Sequence, residues 1–89
     1  MNKDLLEKDI IDAHKFCTAN YDMLSKDSKC GCFYCLEVFS PQKIDFWIND
    51  KNGKTAVCPN CGIDSIIGES SGYPLTKAFL SKMCGHWFN

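Results

Sequence analysis

The spacing of apolar residues divides the chain into three stretches. Over residues 4–24, Leu6, Ile10, Ala13, Cys17, Tyr21 and Leu24 recur every three or four positions, which predicts one amphipathic helix. Asp4 followed by Glu7 has the form of a capping box at its start. Lys3, Lys8, Asp9, Asp12, Lys15 and Asp22 mostly fall off the stripe, as a solvated face should, and residues 25–29 form a polar linker. Between residues 30 and 69 the pattern shortens. Residues 36–39, 55–57 and 63–67 read as short strands. Ser40 and Pro41 read as the N-cap and first residue of a two-turn helix over 40–49, with Ile44, Trp47 and Ile48 on one face, and 49–53 as a turn. Residues 68–72 read as a flexible loop. Thr76 then caps a last helix carrying Phe79, Leu80, Met83 and Trp87, which Gly85 weakens by about 1 kcal/mol relative to alanine.

Seven cysteines bring chemistry to this frame. Cys32 and Cys35 form one Cys-x-x-Cys unit and Cys58 and Cys61 a second, with 22 residues between them. A two-residue gap lets a tight turn aim both sulfurs at one ion, and two such knuckles complete a tetrahedral four-sulfur site. Pro59 fixes φ in the second knuckle, and Gly62 is free to take positive φ. Leu36 stands where the second knuckle has Gly62, so the first is the less regular. The separation exceeds the usual interval of about 15–20 residues, and the helix expected at 40–49 accounts for the excess. Cys32, Cys35, Cys58 and Cys61 are therefore the candidate metal ligands, with Zn²⁺ ahead of iron as the commoner structural choice for thiolates.

Two other uses of these cysteines compete. Cys32-Phe33-Tyr34-Cys35 has the outline of the glutaredoxin Cys-Pro-Tyr-Cys, but a redox motif of that kind follows a buried strand in a βαβ unit, and here polar residues 26–29 precede it. Structural disulfides would require an exported chain. Of the remaining thiols, Cys30 is an alternative ligand to Cys32, a reactive thiol, or, most plainly, a partly exposed spectator. Cys17 lies on the helical stripe and belongs to the core. Cys84 and His86 resemble a Cys-x-His pair, yet a helix sets them about 200° apart. His14, beside the stripe, reads as packing or solvent-facing, and Asp64-Ser65 as the start of a strand or turn.

Length and charge narrow the function classes. A chain of 89 residues buries only about 60–65% of its unfolded surface, so a metal staple is expected to supply much of the folding energy. There are ten lysines and no arginine. Residues 1–29 hold five Lys against six acids, 30–69 three against five, and 70–89 two against none. No basic stripe recruits a phosphate backbone, and the residue best suited to bidentate phosphate contacts is missing. A closed four-cysteine site leaves no open position for substrate, and with two histidines and no glycine-rich phosphate loop no nucleophile–base pair assembles, so the chain is expected not to be an enzyme. No apolar run approaches the roughly 20 residues that span a bilayer, and the charged start is unlike a signal peptide, which together predict a cytoplasmic protein. The aromatics Phe33, Tyr34, Phe39, Phe46, Trp47, Tyr73, Phe79, Trp87 and Phe88 are too many for so small a core. Phe46-Trp47 and Trp87-Phe88 are the pairs expected at a partner or homodimer surface.

The motifs Cys-Gly-Cys-Phe-Tyr-Cys at 30–35, Ser-Pro with a tryptophan at 40–47, Cys-Pro-Asn-Cys-Gly-Ile-Asp-Ser at 58–65, Gly-Tyr-Pro-Leu-Thr at 72–76 and the final Trp87-Phe88 resemble those of a group of small bacterial proteins described as hypothetical or cytoplasmic. The likeness spans about residues 14–89. It implies a small, soluble, metal-knuckled protein and no particular activity. The middle segment more loosely resembles a zinc ribbon, or less closely a treble clef, whose helix the glycines at 68 and 72 would interrupt. The expectation is a single α+β domain over 1–89. Its zinc-ribbon-like β-hairpin module at 30–69 carries two Cys-x-x-Cys knuckles, between an N-terminal helix and linker (1–29) and a loop and C-terminal helix (70–89). The expected role is zinc-stapled protein–protein interaction, as an adaptor, inhibitor or immunity-type factor, with nucleic-acid binding through Lys77, Lys82 and stacking near Tyr34 or Trp87 as the alternative.

Overall fold

The computed structural model describes residues 7–88. Helix α1 (Glu7–Ala13) tightens into a 3₁₀ turn (His14–Cys17), and a one-turn helix α2 follows at Tyr21–Leu24. Strand β1 (Cys30–Cys32) pairs with β2 (Val38–Phe39) on one side and β5 (Ile66–Gly68) on the other, both antiparallel. Between them lie a 3₁₀ turn (Pro41–Lys43) and the hairpin of β3 (Trp47–Asp50) with β4 (Gly53–Ala56). A 3₁₀ turn (Glu69–Ser71) leads to α3 (Lys77–Trp87). The chain is thus α+β, with helices at both ends and antiparallel hairpins between them, as the sequence predicts.

Three elements differ from expectation, each for a local reason. The N-terminal stripe does not run as one helix to residue 24. Thr18 is extended and Ala19 takes φ +50°, which breaks the chain before α2. The break lets the buried Asn20 turn inward. Its amide donates to the carbonyls of Phe16 and Ile66 (3.1 and 2.9 Å), and its Oδ1 accepts from the Ala56 amide (3.0 Å). Beside it the Ala19 amide donates to Thr55 Oγ1 at 2.8 Å. These bonds outweigh helical continuity, because four buried or half-buried backbone groups find partners through them. Asp4 and Leu6, assigned to the start of this helix, lie outside the described residues.

The helix expected over 40–49 is a single 3₁₀ turn. Ser40 Oγ does cap it, accepting from the Gln42 amide, and Pro41 does open it, but Ile44 is already extended. The aromatic and β-branched residues that follow favour a strand, which pairs Trp47 with Ala56 and Asp50 with Gly53 across a two-residue turn. The loop expected over 68–72 is the third difference: it forms an ordered turn closed by Gly72 at φ +87°. The strands expected over 36–39, 55–57 and 63–67 form over shifted ranges, at Val38–Phe39, Gly53–Ala56 and Ile66–Gly68, and β1 is a strand that the sequence does not mark. Helix α3 matches expectation, with Thr76 Oγ1 accepting from the Phe79 amide at 3.1 Å and the helix running through Gly85.

The three-stranded sheet is a wall between two small cores. On one side Ile67 meets Ile10, Ala13, Cys17, Phe33, Phe79, Leu80 and Met83 from the helices. On the other, Cys30, Cys32 and Ile66 meet Leu24, Ile44, Ala56 and Cys58. Strand alternation explains the division, since Cys30 and Cys32 point one way and Gly31 the other. Gly31 lets α3 lie directly on the sheet: a Cβ there would sit 3.0 Å from Leu80 Cδ1.

Candidate metal centre

The first pair of cysteines sits in the turn of the β1–β2 hairpin, and the second in the connection from β4 to β5, which lie in different sheets. Cys32 closes β1 and Cys35 follows in the turn toward β2; Cys58 follows β4, and Cys61 precedes β5. The two turns have the same backbone. The Leu36 amide bonds the Cys32 carbonyl and the Gly62 amide bonds the Cys58 carbonyl, both at 2.9 Å. Gly62 takes φ +80°, as expected, and Leu36 takes φ +69°. The first knuckle is therefore as regular as the second. It holds a leucine in the left-handed region at a cost of about 1–2 kcal/mol, which the packing of Leu36 against the helical core offsets in part.

The four sulfurs converge. Cys32 Sγ lies 3.6 Å from Cys61 Sγ, and Cys35 Sγ lies 3.7 Å from Cys58 Sγ. All four fall within 4.8 Å of one another, and they are the one such cluster among the described residues. Sulfurs bound at about 2.3 Å around a tetrahedral ion lie about 3.8 Å apart, whereas a disulfide needs about 2.0 Å. The cysteines are positioned to bind a metal ion, and none of them forms a disulfide.

The surroundings are built for negative sulfur. Cys32 Sγ accepts from the amides of Tyr34 (3.3 Å) and Cys35 (3.4 Å), and Cys58 Sγ from that of Asn60 (3.4 Å). The amides of Glu37 and Ile63 serve Cys35 and Cys61. Two side chains join them. Asn60 Nδ2 donates to Cys35 Sγ at 3.4 Å, and the buried Ser65 hydroxyl lies 3.0 Å from Cys32 Sγ. Burial raises the Cys35 thiol, but hydrogen bonds from Asn60, Glu37, Cys32 and Cys58 together outweigh it and hold it below its ordinary value. Burial pushes Cys58 and Cys61 up, against the amides that favour their thiolates, and the charge of Cys32 adds to the rise. Asn60 stands inside a Cys-x-x-Cys knuckle, where the sequence could have marked it. Ser65 reads in the sequence as a strand or turn start, and only the packing of the segment before β5 against β1 reveals its contact with Cys32.

The other candidates are placed elsewhere. Cys30 is fully buried, not partly exposed, because it shares the inward face of β1 with Cys32. Its thiol donates toward the Phe39 carbonyl (3.5 Å), and burial, with the nearby Cys58 and Asp27 charges, pushes it up to about 12. Cys17 lies in the helical core as expected. Cys84 donates to the Tyr34 carbonyl (3.7 Å), and His86 packs edge-on to Trp87, so neither approaches the four sulfurs. His14 packs against Trp87, the ring centroids 3.9 Å apart and the planes tilted by 34°. Asp64 is exposed. No family model, curated protein or solved structure matches the chain. The geometry of the site carries the functional argument alone.

Proposed function

We propose that the chain is a non-enzymatic zinc-binding module that acts by protein–protein interaction. Zinc is favoured over iron as the commoner structural ion for four thiolates at tetrahedral separations. Four protein ligands close the coordination sphere, which suits a staple better than a catalyst. The observation that carries the interaction reading is an aromatic surface beside the first knuckle. Tyr34 and Phe88 meet edge-to-face at 4.9 Å and are 46% and 43% exposed, and Trp87 follows at 37%. Rings held against one another yet open to water offer a rigid apolar patch of the kind partners cover. The metal would fix Tyr34 because Tyr34 lies between two ligands. Trp87 and Phe88 were expected to be exposed; of the other pair Phe46 is 61% exposed, and Trp47 is half-buried.

One observation favours the competing reading, nucleic-acid binding: α3 carries Lys77 and Lys82 and no acid. The test replaces Tyr34 with a photo-crosslinking phenylalanine analogue in zinc-loaded protein, in the cells that make it. A discrete protein adduct, lost in Phe88→Ala with zinc content unchanged, supports the reading. Crosslinks to RNA or DNA, with in vitro affinity that falls steeply with salt, would replace it with the alternative.

A further inference from the structure

On the far side of the sheet from α3, a cavity of about 270 Å³ opens between α2 and the turn at Pro41–Lys43. Its lining includes the aromatic Tyr21 and Trp47, the apolar Leu24, Pro41 and Ile44, and the acidic Asp27. The rings stand nearly perpendicular (74°) with centroids 5.0 Å apart. Leu24, Pro41 and Ile44 are buried. Asp27 is the one formal charge in the lining; Ser25 and Gln42 complete it without adding another. Drug-sized ligands take roughly 300–1,000 Å³, so this cavity suits a single side chain better than a cofactor.

We propose that this cavity receives the side chain of a lysine presented by a partner protein. The lining matches that side chain part by part. Aliphatic walls suit the four-carbon stem, π faces attract a cation, and a carboxylate fixes the ammonium. The molecule already shows that Tyr21 accepts this chemistry, because the ammonium of Lys54 lies 5.1 Å from its ring centroid in the neighbouring cavity. Asp27 also selects lysine over arginine. Its Oδ2 is occupied, accepting from the Ser70 amide (3.2 Å) and hydroxyl (2.9 Å), so Oδ1 is the acceptor that remains. A guanidinium needs both oxygens for its paired bonds, whereas an ammonium is satisfied by one. The proposal deepens the protein-interaction reading and rests on it for the source of the lysine.

The probe is Nα-acetyl-lysine methylamide, titrated into zinc-loaded wild-type protein and followed by ¹H–¹⁵N NMR. The expected result is saturable movement of the Trp47 indole and the Tyr21 and Leu24 amides. Binding should be at least about tenfold tighter than for the norleucine analogue, and weakened by about tenfold in Asp27→Asn. Because Asp27 also anchors Ser70, Tyr21→Leu serves as a second variant, which should weaken lysine binding and leave the Ser70 amide in place. Equal binding of norleucine, or no movement up to tens of millimolar, would overturn the proposal. Tighter binding of a free diamine such as cadaverine would overturn the partner-protein source, and so would movement of the same resonances with protein concentration alone, which would put a second copy in the cavity. Since the probe is a small molecule, its failure leaves crosslinking at Tyr34 untouched, and the two readings fall separately.

Discussion

Asn20 offers the sharpest test of how the fold is held together. It is a polar side chain at 1% exposure, and it joins three segments: the end of the first 3₁₀ turn, strand β4 and strand β5. Asn20→Ala removes three hydrogen bonds, stranding the Ile66 carbonyl and Ala56 amide in the interior and the Phe16 carbonyl at its half-buried edge. A buried group left without its partner costs about 1–3 kcal/mol, so with partial relaxation the loss should be about 3 kcal/mol. For a domain of this size each kcal/mol moves Tm by roughly 4–8 °C, which places the variant about 12–24 °C below wild type. Thermal and urea unfolding at fixed excess zinc and constant pH would measure it, with Asn49→Ala at an exposed position as the control, expected within about 0.5 kcal/mol. A loss below about 1 kcal/mol for Asn20→Ala would refute the reasoning, because water or a rearranged turn would then be satisfying those groups.

Other outcomes follow from the site. Removal of the metal by a strong chelator should abolish the cooperative unfolding transition, as should Cys58→Ser; an unchanged urea curve would show that the ion is no staple. Gly62→Ala should cost about 1 kcal/mol, and since nothing lies within 4 Å of the added Cβ the whole effect is conformational. Ser65→Ala should leave the fold in place and weaken metal affinity by about tenfold, read by competition with a chromophoric chelator. Burial raises the Cys17 thiol above its ordinary value, with the Thr18 hydrogen bond opposing. The folded state therefore keeps a proton that the unfolded chain loses, and stability from this group is full below about pH 9 and declines above it by at most about 1.4 kcal/mol per pH unit. In Cys17→Ala that part of the alkaline decline should vanish from unfolding curves at pH 8–10.

The features legible in the sequence are those written in local spacing. The two Cys-x-x-Cys units, the Thr76 cap with its Phe79, Leu80 and Met83 stripe, and the positive φ of Gly62 all depend on neighbours within a few positions. What sequence reading missed depends on partners far along the chain. Ile10, Ala13 and Cys17 predicted helix correctly, but the pattern continued through Asn20, whose bonds reach residues 56 and 66. Ser40 and Pro41 signalled a helical start that lasts one turn, because Trp47 and Ile48 gain more by pairing with β4. Leu36 looked like a departure from the knuckle pattern; its backbone adopts the glycine conformation all the same. Cys30, next to a turn in sequence, reads as partly exposed, and strand alternation buries it.

The sheet that separates the two cores has a kinetic consequence. Strand β1 contributes two inward thiols to one side and the bare backbone of Gly31 to the other, so neither core can open without exposing the wall they share. Amides of β1 and of the middle of α3 should then exchange with solvent through the same rare event. Loss of a bound ion should therefore speed exchange around Leu80, on the opposite face, together with exchange in β1.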